Sequence, residues 1–93
     1  MNQSNWTADT IRSEIKKMIA RVTEREPEEI PDTAHYLDEL EIDSLMAMEL
    51  MIAIDRKFQI DVPEEEFRTA VNVDESVKMV EAHLTAKSVA AQA

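Results

Sequence analysis

Asp43 and Ser44 are the residues whose types and position in this chain are best suited to chemistry. They stand directly before apolar residues at helical spacing, where Asp and Ser are both favoured as helix-capping residues. A serine at a helix N-terminus presents its hydroxyl at the surface, and the free backbone N–H groups and the helix dipole there favour an anion. Because no base is adjacent to Ser44 in sequence, we expect it to be the substrate of a modifying enzyme and not a self-activated nucleophile.

The other residue types that could do chemistry do not form a second site. His35 and His83 lack metal-ligand spacing, so we expect them at surface or hydrogen-bonded positions. An EF-hand loop counted from Asp38 fails, because Leu40 and Ile42 occupy its third and fifth positions and the chain has no glycine. The sequence therefore predicts neither catalytic residues nor a metal site.

The charge of the chain is strongly negative and unevenly distributed. Asp and Glu number 20 against 10 Lys and Arg, so nucleic acids and anionic lipid headgroups repel the protein while basic protein patches attract it. Between Arg25 and Arg56 there is no Lys or Arg, yet this stretch holds half of the carboxylates. This pattern predicts an acidic docking surface around Ser44, and the alternative is a solvated face that only aids solubility.

Length and composition bound the class of protein. The absence of cysteine excludes disulfides and thiolate metal sites. No apolar run is long enough to span a bilayer, and the polar N-terminus is unlike a signal peptide. We expect one domain over residues 1–93, folded from about residue 7 to about residue 85 with frayed termini. We expect a cytoplasmic monomer without nucleic-acid or membrane partners.

Apolar periodicity predicts a first helix over residues 7–22, with Thr7 as its N-cap and Trp6 packing on Ile11 as a hydrophobic staple. Residues 23–42 then break the pattern and predict a long loop. Several apolar residues in this loop are expected to hold it across the core: Ile30, Tyr36, Leu37, Leu40 and Ile42.

A second helix is expected from Asp43–Ser44 to Phe58, with neighbours on several sides because its apolar residues spread widely around it. Met48 is expected in the core and Met46 near the surface, in contact with the attached group or with partners. Four residues would line any cleft between this helix and the last one, unless they are ordinary core residues: Ile52, Ala53, Ile54 and Val77.

A short helix is expected over residues 64–68, with Pro63 at its first position. Asn72 should cap a final helix that has Val77, Val80 and Leu84 on one face, and the tail from about Lys87 has little to anchor it. The predicted fold is an all-α bundle of three main helices and one short helix, with the long loop between the first and second helices.

The segment from Leu40 to Leu50 resembles the phosphopantetheine attachment site of acyl carrier proteins, whose core is an Asp-Ser-Leu triplet at the start of the second helix. Here that triplet is Asp43-Ser44-Leu45. The similarity extends upstream through Asp32-Thr33-Ala34-His35-Tyr36-Leu37-Asp38-Glu39-Leu40 and downstream through Phe58 and Ile60-Asp61-Val62-Pro63. It needs no gaps over residues 30–80, more than half of the chain.

The resemblance implies an acyl-carrier-like bundle that is not an enzyme and that bears a 4'-phosphopantetheine group on Ser44, with Asp43 and Leu45 beside it. It implies that a phosphopantetheinyl transferase installs the group. It also implies that acyltransferase, ketosynthase and related biosynthetic enzymes dock through basic patches. Five residues are candidates for contacting these partners: Asp43, Met46, Glu49, Glu64 and Glu65.

Some positions depart from the family pattern. Glu41 stands where a glycine is common, and because Glu adopts positive φ only at a cost, we expect the turn into the second helix to differ locally. Met46, Arg56 and Lys57 stand where fatty-acid carriers commonly have acidic residues, which favours a polyketide-type carrier. Two alternatives stay open: an aminoacyl or peptidyl carrier, and an unmodified scaffolding adaptor in which Ser44 remains bare.

Overall fold

The computed structural model describes residues 6–92, with the side chains of residues 6–88. Helix α1 spans Ala8–Thr23, α2 spans Ser44–Phe58, α3 spans Glu64–Thr69 and α4 spans Val73–Gln92. A single 3₁₀ turn, Pro27–Glu29, lies in the long loop between α1 and α2, and there is no strand in the described part of the chain. This confirms the predicted all-α bundle of three main helices and one short helix.

The start of α1 forms as predicted. Thr7 is the N-cap, and its Oγ1 accepts from the Thr10 N–H while the Thr10 Oγ1 accepts from the Thr7 N–H (3.2 and 2.9 Å), so the two residues cap each other. The Trp6 ring packs edge-to-face on Phe58, with ring centroids 4.8 Å apart. Trp6 therefore joins the start of α1 to the end of α2, and it packs against the core cluster that includes Ile11.

The apolar stripe of α1 lies in the core, where Ile11, Ile15 and Ile19 are almost fully buried. Side-chain ion pairs also join α1 to the long loop and to α4. The Arg12 guanidinium pairs with Asp32 and with Asp74 (2.7 and 2.5 Å), and Lys16 pairs with Asp32. The bond from Lys16 holds the pKa of Asp32 below its usual value. Asp32 is thus committed to these ion pairs and is not part of a free acidic surface.

Four of the five apolar loop residues are buried as predicted: Ile30, Tyr36, Leu40 and Ile42. Leu37 is the exception, because 62% of it is exposed. The N–H groups of Glu39 and Leu40 both donate to the His35 carbonyl oxygen (2.9 and 3.2 Å), which closes a tight turn. This turn directs Tyr36 and Leu40 inward and leaves Leu37 outside.

Helix α2 has residues packed against the core on more than one side, and one of its faces is exposed. Its buried residues, Leu50, Ile54 and Phe58, recur every fourth position and form one inward face. The prediction that Met48 lies in the core is wrong. Met46, four residues before Leu50, is half-buried against the core, whereas Met48 lies on the outer face and is 50% exposed.

Helices α3 and α4 begin close to the predicted positions. Pro63 is the N-cap of α3 and not its first residue. The Asn72 side-chain oxygen accepts from the Glu75 N–H (2.8 Å) and caps α4 as predicted. A loose tail was expected from about Lys87, but α4 continues to Gln92. The Lys87 Nζ donates to the Gln59 carbonyl oxygen (2.8 Å). The predicted fraying before Trp6 falls outside the described residues.

Within residues 6–92, none of the helices combines the length and the apolar character that crossing a membrane requires.

Candidate functional site

Ser44 is the first residue of α2, and its side chain is exposed. Asp43 is the N-cap, as predicted: its Oδ1 accepts from the Met46 N–H (2.9 Å), and its carbonyl oxygen accepts from the Ala47 N–H (2.8 Å). At the first positions of a helix the N–H groups of Ser44 and Leu45 have no intrahelical acceptor. The Ser44 hydroxyl therefore stands at the positive end of α2 with backbone donors beside it.

The turn into α2 keeps the left-handed conformation that glycine would supply. Glu41 has φ of 56°, so the expectation of a locally different turn is wrong. For a residue with a Cβ atom this conformation costs about 1–2 kcal/mol. The Glu41 side chain is exposed, so it can adopt the turn without disturbing the core.

Tyr36 positions this turn from the core side. Its N–H donates to the Val71 carbonyl oxygen (2.8 Å), and its own carbonyl oxygen accepts from the Ile42 N–H (2.9 Å), next to Asp43. Its hydroxyl oxygen lies 2.7 Å from the buried hydroxyl of Ser76 in α4. Burial raises the pKa of the Tyr36 phenol well above its ordinary value, so it is neutral at physiological pH.

A cavity of about 320 Å³ opens beside Ser44, between α2, α3 and the loop before α2. Aliphatic, aromatic and thioether side chains form most of its wall, and the charged residues are Asp43, Glu64 and Arg68 together with the titratable His35. The lining residues are His35, Tyr36, Leu37, Ile42, Asp43, Ser44, Ala47, Met48, Leu50, Met51, Glu64, Phe67, Arg68, Ala70 and Val71.

This cavity is not the cleft between α2 and α4 that the sequence suggested, because none of the four residues expected to line that cleft is in its wall. Ile54 and Val77 are buried core residues, Ile52 is 46% exposed, and none of them, nor Ala53, lines the cavity. Two residues of the cavity wall were not predicted there: Leu37, which was expected in the core, and Phe67. Leu37 could have been found because it adjoins Tyr36 in a turn where both cannot point inward, whereas nothing in the sequence marks Phe67.

The candidate partner-binding residues are only partly brought together. Asp43 and Glu64 line the cavity with Ser44, and Glu64 also binds Arg68 (2.8 Å). Glu49 and Glu65 are exposed but lie outside the cavity wall. Met46 is half-buried against the core.

Helix α2 also has an exposed apolar surface that was not predicted. Leu45, Met48 and Ile52 are 66%, 50% and 46% exposed, and they follow one another at intervals of three and four residues. We call these three residues the exposed stripe. It begins one residue after Ser44, so any protein that reaches the Ser44 hydroxyl also meets apolar surface.

Both histidines have hydrogen-bond partners, as predicted. The His83 Nε2 lies 2.9 Å from the Glu66 Oε1, which links α4 to α3. The His35 Nδ1 accepts from the Asp38 N–H (3.3 Å) in the turn before α2.

The described residues form a small helical bundle with an exposed serine at the start of its second main helix. A family model described as the phosphopantetheine attachment site matches residues 13–84. The chain therefore belongs to the phosphopantetheine attachment site family, whose members carry covalently attached 4'-phosphopantetheine. Carrier domains of this kind interact with transferases and biosynthetic enzymes.

Proposed function

We propose that Ser44 is the attachment residue and that the protein carries acyl groups as thioesters for fatty-acid or polyketide biosynthetic enzymes. The observation that carries this proposal is the position of Ser44. Its hydroxyl is exposed at the capped start of α2, beside a largely apolar cavity and next to the exposed stripe.

The residues around Ser44 fit a phosphopantetheine group. A phosphodiester on the Ser44 oxygen would meet the N–H groups of Ser44 and Leu45 and the positive end of the α2 dipole. Asp43 is a like charge close by, but its Oδ1 is engaged by the Met46 N–H. Repulsion from such an exposed carboxylate is screened and costs about 1 kcal/mol.

When bound, the group supplies a terminal thiol that forms thioesters with acyl cargo. The chain itself provides position and recognition. Asp43 and Tyr36 hold the head of α2, and the cavity offers an apolar wall beside Ser44. We assign partner recognition to the exposed stripe together with Asp43, Glu49, Glu64 and Glu65, with the half-buried Met46 at its margin.

The acidic residues of this surface steer it toward basic patches on partner enzymes. An exposed apolar stripe with a charged surround suits partners that must bind and leave in turn, because small interfaces of this kind are transient. The polyketide-type assignment rests on the sequence, on Met46, Arg56 and Lys57. The largely apolar cavity favours acyl cargo over a cargo with a charged amino group.

Intact-protein mass spectrometry tests the attachment. The apo protein is incubated with coenzyme A, Mg²⁺ and a broad-specificity phosphopantetheinyl transferase. We expect one phosphopantetheine adduct on the wild type and none on Ser44→Ala. Ser13→Ala is the matched control, since Ser13 is an exposed helical serine elsewhere, and it should be modified like the wild type.

The absence of cysteine provides an independent readout. A thiol-reactive dye should label the modified protein at one site and leave the unmodified protein and Ser44→Ala unlabelled. Folded wild type that acquires neither mass nor thiol would contradict the proposal and favour the unmodified scaffolding adaptor.

A loading assay separates the carrier classes. The modified protein is offered malonyl or other acyl groups by an acyltransferase, and amino acids by an adenylating enzyme. Acyl loading alone is the expected result. Loading with amino acids alone would identify an aminoacyl or peptidyl carrier.

A further inference from the structure

A second groove, of about 280 Å³, lies between α1 and α2, near the end of α2 that is remote from Ser44. Four cationic side chains line it with one carboxylate, Glu14, so it has an excess of three positive charges in a protein of net charge -10. We call it the basic groove; its residues are Glu14, Lys17, Met18, Arg21, Ala53, Arg56 and Lys57.

The positive charge of the basic groove is only partly compensated within the protein. Glu14 is shared by two lysines, with its Oε2 3.4 Å from the Lys17 Nζ and its Oε1 3.5 Å from the Lys57 Nζ. Arg21 and Arg56 are exposed, and neither has an ion pair with any residue between 6 and 88. Two guanidinium groups therefore remain available to an external anion.

Helix-dipole effects explain only part of this arrangement. Arg21 is in the last turn of α1, and Arg56 and Lys57 are in the last turn of α2, where cations are favourable. Lys17 lies well before the end of α1 and gains nothing from that effect. The helix dipoles therefore do not account for Lys17 in this groove, which is lined by cations of both α1 and α2.

The walls of the groove identify the kind of partner. Met18 is buried and Ala53 half-buried, so the cations surround apolar side chains. A polypeptide segment with carboxylates and small apolar side chains would use both features, whereas a small inorganic anion would use only the charge. We propose that the basic groove docks an acidic segment of a partner protein.

The location of the groove leaves Ser44 free. Arg56 is twelve residues beyond Ser44 on α2, which is about 18 Å along the helix axis. The groove shares no lining residue with the cavity beside Ser44. If Ser44 is modified as proposed above, an acidic segment held in the groove keeps the carrier near its partner and raises its effective concentration there.

The test uses a fluorescein-labelled synthetic peptide of Glu, Ala and Leu, titrated with the full chain by fluorescence anisotropy at low ionic strength. Saturable binding to the wild type is expected. The double variant Arg21→Gln/Arg56→Gln should bind at least about ten-fold more weakly, a loss of about 1.4 kcal/mol. Lys78→Gln removes a cation that does not line the groove and should change the affinity by less than about two-fold.

Ser44→Ala should bind the peptide like the wild type, so this test does not depend on the modification. Absence of saturable binding to the wild type, or equal weakening by Lys78→Gln, would overturn the proposal. Displacement of the peptide by an equimolar amount of inorganic phosphate would make the groove a small-anion site. If sedimentation showed dimers of the wild type that disappear in the double variant, the groove would bind a second copy of the chain. Displacement by phosphate and dimerisation would each overturn the proposed partner.

Discussion

The hydroxyl oxygens of Tyr36 and Ser76 lie 2.7 Å apart in the core and join the loop before α2 to α4. Ser76 is fully buried, and it and Tyr36 are the two buried residues with a polar side-chain group among the described residues. Through its backbone, Tyr36 also bonds to Val71 and to Ile42, which precedes Asp43. Tyr36 thus holds the head of α2, where Ser44 lies, against the rest of the bundle.

The losses of stability from removing the two hydroxyls should not add up, because the hydroxyls bond to each other. Tyr36→Phe leaves the Ser76 hydroxyl buried without this partner, which costs about 1–3 kcal/mol. The double variant Tyr36→Phe/Ser76→Ala has no such orphan, so its loss should be smaller than the sum of the two single losses. Urea unfolding followed by circular dichroism measures all four proteins. Strict additivity would show that the two hydroxyls do not interact.

The stability of the fold should fall in alkaline solution because of Tyr36. Burial raises the pKa of its phenol above the ordinary value of about 10, so the neutral form is favoured in the folded state. This contribution is fully present below pH of about 10 and is lost as the pH rises toward the folded pKa. The free energy of unfolding should decline above pH 10 in the wild type and less steeply in Tyr36→Phe.

Tyr36 is the one tyrosine in the chain, so tyrosinate absorbance reports the same ionisation directly. The native protein should ionise at higher pH than the protein in denaturant. Identical titration midpoints in the two states would contradict the burial argument.

Glu41→Gly should stabilise the protein or leave its stability unchanged. Glycine relieves the cost of the positive φ at this position, about 1–2 kcal/mol, and its greater freedom in the unfolded chain offsets about 0.5–1 kcal/mol of that gain. The expected net effect is an increase of up to about 1 kcal/mol in the free energy of unfolding. Glu39→Gly is the control, because Glu39 is an exposed residue of the same loop with negative φ, and it should not stabilise. Marked destabilisation by Glu41→Gly would show that the Glu41 side chain has a stabilising role.

The two methionines after Ser44 should respond differently to a charge. Met48→Glu changes the exposed stripe, and we expect kcat/KM for phosphopantetheinyl transfer to fall about five-fold with stability unchanged. Met46→Glu puts a carboxylate against the core and should cost about 1–3 kcal/mol of stability.

Ala82→Glu is the control for added charge, because Ala82 is exposed on α4, and it should alter neither quantity. If Met46→Glu slowed the transfer at full stability while Met48→Glu did not, the surface assigned to the partner would be wrong.

The periodic segments of the chain could be located from sequence alone because their signals are local. The start of α1 at Thr7, the start of α2 after Asp43 and the cap at Asn72 depend on side chains within three residues of the backbone groups they satisfy. The family also follows from local sequence, since the Asp43-Ser44-Leu45 triplet and its flanks are contiguous. The positive φ of Glu41 could not be predicted from its residue type, because the neighbouring Ile42 bonds back to Tyr36, which in turn bonds to Val71 far away in the chain.

The helices, the strong acidity and the serine that is the candidate for modification could all be read from the order of the residues. The packing of the helices established which side of α2 faces outward, and with it the exposed stripe, the exposure of Met48, the cavity beside Ser44 and the basic groove. Helical spacing reveals which residues share a face, but not which face the neighbouring helices cover. That depends on contacts between residues far apart in the chain, such as Trp6 with Phe58 and Tyr36 with Ser76.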